Sequence, residues 1–525
     1  MPRLNVPASV YNGLQRAAEA EHPLLNRMAR TGSTCALLIL MTALSLAQSA
    51  IPDEQTPRSK ILEQRRKQYP ELSRIVDLAQ AVPPEFSASF LLRVETSSRL
   101  RDQVWKKELL EQAFQSAGLA QQPVRRKVIA AGFVARSRAE VMSMGFDQRL
   151  DRLSLQSLAA SEMLKLDKAK ALEMFQAISI PGLHQLHCED ALVDHVSDYY
   201  DLLGRIIGSA FKPEELRYGR HVELLNYKTG SMDSPVQVAP MAKVLSSAVL
   251  SPEELKALTG SFGASLERIQ NDDRSFSSSL PSTDKELNRF VEVLKARGVT
   301  PDGVIAAYRR YLVRNFTGNR CADNLGKEDL LATVASSFNG QLASDANPNL
   351  APLVVEELQP AKVESKANLE PFFDDAEFQE GFQEFLDLWI GKERGRNAKP
   401  LTDEQKDTAE WRERFDNFLQ RVDELKAGAG EPEYRYFYRK ATALQALLRV
   451  APPGPEQDKV VRKFVAFLGS SNFQQESLLE WYAQVERTAS AVKELKAGAY
   501  AKFLEELGAS GHPVLILYAA AATTL

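Results

Sequence analysis

Apolar residues recur at intervals of three and four along most of this chain and rarely alternate one by one, so the pattern predicts helices almost everywhere beyond Pro52. The spacing predicts one helix over 70–81, with Leu72, Ile75, Val76 and Leu78 as its stripe and Pro83-Pro84 as its stop. A second is expected over 85–94. A third, over 102–117, carries Val104, Leu109, Leu110, Ala113 and Phe114. The clearest pair is 153–166 followed by 167–178. Its second half, with small Ala at crossing positions and Leu172, Met174 and Phe175 turned inward, looks like the second helix of a tetratricopeptide-type repeat. No fixed repeat period runs through the chain, which argues against a regular solenoid. The expected fold is therefore all-α, an irregular array of helical hairpins, tetratricopeptide-like in places, in two helical regions.

Helix punctuation is plainest in the middle of the chain. Ser251-Pro252-Glu253-Glu254 combines a hydroxyl cap, proline at the first helical position and a glutamate three residues after the cap. Thr283-Asp284-Lys285-Glu286 has the same form, so a helix is expected to start there and to close at Gly298. Thr300-Pro301 should open the next, running to about residue 315 with Val304, Tyr308, Tyr311 and Leu312 on one side. Residues 341–370 bring Pro348, Pro352 and Pro360 with few periodic apolar positions and read as a linker or long loop. Asp374-Asp375 then favours a helix N-terminus through the macrodipole, followed by the stripe Phe378, Phe382, Phe385, Leu386 and Trp389. A further box, Thr402-Asp403-Glu404-Gln405, predicts one helix to about residue 426 bearing Trp411, Phe415, Phe418, Leu419 and Val422. Helices over 432–450, 455–468 and 474–508, with a break at Gly498, should follow. The run 513–522 reads as a terminal core helix.

One stretch breaks the amphipathic pattern. Residues 35–46 are an apolar run of about a dozen, preceded by Arg27 and Arg30 and followed by Ala47-Gln48-Ser49-Ala50 and the polar Pro52-Asp53-Glu54. That order is the layout of a secretory signal peptide. The run falls short of the roughly 20 residues needed to cross a bilayer. The leader lies far from Met1, whereas Met28 with Arg30 would form an ordinary positively charged start. Residues 1–50 are thus expected to be an extension plus leader, with 51–340 a helical-hairpin domain, 341–370 the linker and 371–525 a C-terminal helical domain. The expected destination is outside the cytoplasm, periplasmic or secreted, with no stable membrane span in the mature chain.

Composition narrows the partners. With 44% apolar and 26% charged residues the chain is of ordinary globular type, and 65 Lys plus Arg against 69 Asp plus Glu leave a net charge of −4. No basic surplus for nucleic acid is present, and none is expected as a partner. Of three cysteines, Cys35 would leave with the leader. Cys188 and Cys321 are expected to form one disulfide in an oxidising compartment.

The densest polar cluster is His184-Gln185-Leu186-His187-Cys188-Glu189-Asp190, followed by Asp194-His195. Were the segment helical, His184 and His195 would stand about 16 Å apart along the axis, too far to share one ion. Only His184 with His187 or Cys188 could meet a metal, and a disulfide would remove Cys188, so neither a metal site nor a cofactor is expected. The run Arg314 to Asn324 around Cys321 reads as a turn pinned by the bridge. Glu476-Ser477 matches the Glu-Ser dipeptide of lytic transglycosylases without their downstream segment. Hydrolase, zinc-protease, phosphate-loop, dinucleotide and calcium-loop motifs are all missing.

The segments Pro83-Pro84-Glu85-Phe86, Trp105 to Phe114, Cys188 to Leu192 and Arg320 to Asp323 together resemble a family of exported, all-helical bacterial proteins to which no activity is attached. The resemblance implies export and a helical fold, and no catalytic residues. The leading expectation is an exported protein that binds another macromolecule, a protein or an envelope component. The alternative is an exported hydrolase or lyase with a site near His184–His195 and the Cys321 loop.

Overall fold

Two prolines begin the ordered helices of the main body: Pro70 and Pro84 each sit at a first helical position, where the missing N–H costs nothing. The structure is a computed structural model. It describes residues 57–128, 137–179, 183, 186–270, 274–318, 321, 328–343, 350–359, 368, 370, 376–391, 399–471, 477–495 and 498–525. The apolar run at 35–46 and the start at Met28 lie outside these residues. Two compact units are distinguished, residues 1–68 and 69–525. The described part of the first is one polar helix, α1 (Pro57–Gln68), with Arg65, Arg66 and Lys67 in its last turn, where they complement the helix dipole.

Among its described residues the second unit is all-α apart from one pair of three-residue strands. Its chain order begins α2 (Pro70–Ala79), α3 (Pro84–Thr96), α4 (Gln103–Gly118), β1 (Arg126–Val128), α5 (Arg138–Phe146), α6 (Arg152–Leu166), α7 (Lys168–Ala177) and β2 (Leu192–Asp194). There follow α8 (Ser197–Ser209), α9 (Pro213–Arg217), α10 (Arg220–Gly230), a 3-10 turn (Pro235–Gln237), α11 (Val238–Ser247), α12 (Pro252–Arg268), α13 (Arg274–Ala296), α14 (Asp302–Gly318) and α15 (Glu328–Gln341). A second 3-10 turn (Val355–Leu358) precedes α16 (Ala376–Ile390), α17 (Asp403–Lys406), α18 (Ala409–Glu424), α19 (Glu433–Val450), α20 (Pro455–Ser470), α21 (Leu478–Lys493), α22 (Ala499–Ala509) and α23 (Pro513–Thr524).

Side-chain caps fix many of these starts. Asp102 accepts from the amides of Val104 and Trp105 at 2.9 and 3.0 Å. The buried Asp151 accepts from Ser154 at 2.9 Å, and Asp167 accepts both from Lys170 N and from Lys107 Nζ on α4. Ser251 and Glu254 exchange the two bonds of a capping box, at 2.8 and 3.2 Å. Gly298 and Gly498 adopt positive φ, +71° and +100°, where a side chain would be strained.

Local hairpin packing, α3 on α4 and α6 on α7, hands over to longer connections: α4 on α6, α6 on α8, α8 on α11, α11 on α13, α10 on α12 and α12 on α14. The last third packs internally, α18 on α19, α19 on α20 and α20 on α22, and then returns to the start: α21 lies against α5, and α23 against α2. A buried ion cluster holds that return. Arg138 on α5 donates to Glu480 of α21 at 3.0–3.1 Å and to Glu370 at 3.2 Å, with its guanidinium 3.9 Å from the centre of the Tyr434 ring. Glu480 is 1% exposed; burial raises its pKa, and Arg138 opposes that rise.

Two expectations are corrected. Thr283-Asp284-Lys285-Glu286 does not start a helix: α13 begins nine residues before Thr283, at Arg274, and runs through Pro281. The missing proline N–H leaves the Ser277 carbonyl without its usual partner, and the helix continues because Phe276, Leu280, Leu287 and Phe290 are buried on either side of it. The Thr402 box starts only α17, since Thr408 caps a second helix by accepting from Trp411 N. The His184–His195 segment is not helical where described: Cys188-Glu189 form a turn, and Leu192–Asp194 pair antiparallel with Arg126–Val128. Within 341–370, Leu350, Leu353 and Leu358 are buried, and Asn339 clasps Leu353 through both its amide and its carbonyl.

Candidate functional site

The short strand pair builds one wall of a cleft. Its register sets Arg126 opposite Asp194, and Arg126 Nε donates to Asp194 Oδ1 at 3.0 Å, which neutralises a carboxylate that is 6% exposed. The chain leaves β2 with His195 N bonded to the Arg125 carbonyl at 2.7 Å and enters α8 at Ser197. Opposite stand α11, with Ala239, Pro240 and Lys243, and α13, with Ser278, Ser279, Ser282 and Glu286. The cleft, open to solvent on one side, has a volume of about 430 Å³, in the range of small-molecule sites.

The cleft wall on α13 coincides with its proline. Around Pro281 the serine hydroxyls turn back on the helix: Ser279 Oγ donates to the Ser275 carbonyl at 2.7 Å, and Ser282 Oγ to the Ser279 carbonyl at 2.7 Å. Ser278 does not do this. Its Oγ is buried and makes no hydrogen bond, and neither does Glu286 Oε2, whose nearest opposite charge is Arg289 Nη1 at 4.0 Å. A buried polar atom without a partner costs about 1–3 kcal/mol. Two such atoms on one wall of one cleft are therefore acceptor and donor capacity held in reserve.

Lys243 and Arg125, among the charges around the rim, are paired. Lys243 Nζ bonds Asp201 Oδ1 at 2.7 Å. Behind His195, Arg125 bonds Asp147 at 2.7 Å and reaches Asp198 at 3.5 Å, while Arg149 stands 3.6 Å from Asp198. The imidazole meets Ser197 Oγ at 2.8 Å from Nε2 and 3.1 Å from Nδ1. Burial lowers the His195 pKa to about 4, and the positive charges of Lys127 and Arg125 add to that effect. At neutral pH the ring is uncharged.

The residues grouped by sequence are dispersed. His184 lies outside the described residues. His187 is exposed on the turn beyond the cleft, its backbone amide donating to Asp190 Oδ2 at 2.6 Å, and of the cluster only Asp194 and His195 line the cleft. Among the described residues no three His, Cys, Asp or Glu side chains gather closely enough to hold a metal. Cys188 and Cys321 form a disulfide with their Cα atoms 4.9 Å apart. Arg274, the first residue of α13 and wholly buried, donates from Nε to the Cys188 carbonyl at 2.6 Å. Burial lowers the Arg274 pKa to about 10, opposed by Asp190. This arginine thus ties the turn that feeds β2 to the helix carrying Ser278 and Glu286, and the bridge ties the same turn to Cys321, beyond the end of α14. Glu476 lies outside the described residues. Tyr434, Phe437 and Tyr438 pack against neighbouring helices, and Tyr438 is buried.

Sequence reasoning missed the α13 half of the cleft. The available signal was Arg274-Ser-Phe-Ser-Ser-Ser-Leu-Pro-Ser-Thr283, a serine-dense stretch with a proline inside a helical pattern. No protein-family model matches this chain, and neither curated proteins nor solved structures match it. The resemblance to an exported helical family rests on the residues quoted for it.

Proposed function

We propose that the protein is an exported binding protein that takes a small, polar ligand in the cleft between β2, α11 and α13. The observation that carries this reading is the pair of buried, unpartnered atoms on one wall, Ser278 Oγ and Glu286 Oε2. A ligand amine or hydroxyl seated there would donate to Glu286 and satisfy Ser278, recovering the energy both atoms forgo in the free protein.

Binding is favoured over catalysis by the state of the histidine. A general base works best with a pKa near the working pH, and an imidazole whose pKa is about 4 abstracts a proton poorly at pH 7. Ser197 and His195 suit hydrogen bonding better than acyl transfer. The reading replaces the expected macromolecular partner with a molecule that fits about 430 Å³. Export is supported by the apolar run at 35–46 and by the disulfide. Among the described residues no helix is long and apolar enough to cross a membrane.

The test uses stability and occupancy together. Replacing an unpartnered buried polar group with an apolar one of similar shape is neutral or stabilising, so Ser278→Ala and Glu286→Met should hold or raise the unfolding temperature of the ligand-free protein. Native mass spectrometry of protein purified from the envelope or medium should find a small adduct on the parent chain and none on Glu286→Met. Destabilisation by both substitutions, with no adduct on the parent, refutes the proposal.

A further inference from the structure

A second concave region lies on the opposite part of the sequence, where α21 passes between α3, α5 and the last helices. One cavity of about 510 Å³ is lined by Arg93 of α3, Lys493 of α21, Tyr500 of α22 and Tyr518 of α23. An adjoining one of about 320 Å³ is lined by Arg449 of α19 and Arg487 of α21. Gln148 and Glu486 belong to both walls, so the two share an edge.

The four cations are what set this region apart. Lysines and arginines elsewhere commonly meet carboxylates, as in Lys107–Asp167, Arg309–Glu357 and Lys459–Asp416. Arg93 and Lys493 instead lie over aromatic rings: Arg93 Cζ sits 4.8 Å from the centre of the Phe90 ring, and Lys493 Nζ 4.8 Å from that of Tyr500. Among the described residues neither they nor Arg449 and Arg487 form an ion pair or donate a side-chain hydrogen bond, although the Arg487 charge reaches Glu140. Glu486 lines both cavities and Glu494 the smaller one; Glu486 Oε2 accepts from the Tyr518 hydroxyl at 3.3 Å, and among the described residues neither carboxylate lies within ion-pairing distance of the four cations. Tyr482 is also buried beside Glu486, and its hydroxyl is held protonated by burial and by that carboxylate.

We infer that this groove binds a small molecule carrying a phosphate group. Two cations on the larger cavity match a dianion better than a single carboxylate. The guanidinium fork of Arg93 can pair two phosphate oxygens, with Lys493 as a point charge beside it. The Tyr500 hydroxyl is a further donor on the same wall. At about 510 Å³ the space exceeds what inorganic phosphate fills, leaving room for an organic body toward Gln148 and Ser89. The chain's net charge of −4 does not oppose this, because the field in the groove is set locally.

Calorimetry and thermal unfolding of the full chain should be run with glycerol 3-phosphate, inorganic phosphate and glycerol, ionic strength being held constant with chloride. Saturable binding of either phosphate with none of glycerol is expected, and the tighter of the two identifies an ester or the free ion as the ligand. Lys493→Glu reverses one exposed charge without touching the core and should weaken binding at least tenfold; Arg93→Gln should do the same. Charge reversal at Lys243, on the other cleft, should leave binding unchanged. The inference is overturned if neither phosphate binds saturably, or if Lys493→Glu binds as the parent does.

Discussion

Gly145, the penultimate residue of α5, offers the sharpest test of how the chain closes on itself. A Cβ built there would lie 2.7 Å from the Leu479 carbonyl oxygen, 3.0 Å from its carbonyl carbon and 3.2 Å from its Cβ. Two of these three are backbone atoms of α21, so no side-chain rotation relieves the contact. Alanine in a helix normally gains about 1 kcal/mol over glycine. Against that stands the cost of moving two packed helices apart by several tenths of an ångström, about 1–3 kcal/mol for overpacking in a filled interior. Gly145→Ala should therefore destabilise by up to about 2 kcal/mol. Gly260 supplies the control: it lies in mid-helix on α12, and nothing comes within 4 Å of its added Cβ. Gly260→Ala should gain roughly the full propensity term, so the two variants should differ by about 1–3 kcal/mol, the overpacking cost that only Gly145→Ala meets. Urea unfolding followed by circular dichroism at 222 nm reads both, with the slope expected to stay constant. If Gly145→Ala proves as stable as Gly260→Ala, α5 and α21 do not pack as described, and the closure argument fails with them.

Two further outcomes follow from the disulfide and the cleft histidine. Cys188 and Cys321 are separated by 133 positions, so the double serine variant should lose up to roughly 4–5 kcal/mol in the chain-entropy view; an unchanged unfolding midpoint, with or without reductant, would contradict the bridge. For His195 the folded pKa is about 4 against an ordinary value of 6.5, so between pH 6.5 and 4 the unfolded chain takes up a proton that the folded one refuses. The stability lost as pH falls through that window is at most about 3 kcal/mol, roughly halved for a ring that is only partly buried, and nothing is lost above it. His195→Gln should flatten this part of the pH profile relative to the parent, and parallel profiles would show that the ring is solvated.

Local punctuation was the legible part of this fold. Ser251 with Glu254, Asp102, Gly298 and Gly498 act within four residues of themselves, so their roles can be read from spacing. Cysteine counting identified the pair that the structure bridges. Thr283 shows the limit of the same logic: its box is intact, but burial of Phe276 and Leu280 carried the helix past a proline that should have ended the preceding segment. The strands escaped notice because three residues, Arg126-Lys127-Val128, are too few for alternation to show. The cleft could not be read at all from one neighbourhood. Asp194 and His195 lie more than 80 positions from Ser278, and tertiary packing alone brings them to one cavity.

The pairing of α23 with α2 also bears on how the polypeptide is made. Ile75 and Val76 of α2 emerge about 440 residues before Val514 and Leu517 of α23, and at roughly 5–20 residues per second the ribosome needs some 20–90 s to bridge that interval. During that time the earliest helices carry a sticky flank with no lid, which is the circumstance that calls for a chaperone. Truncated versions lacking the final helix should accordingly clump when overproduced, however sound the remaining turns are individually.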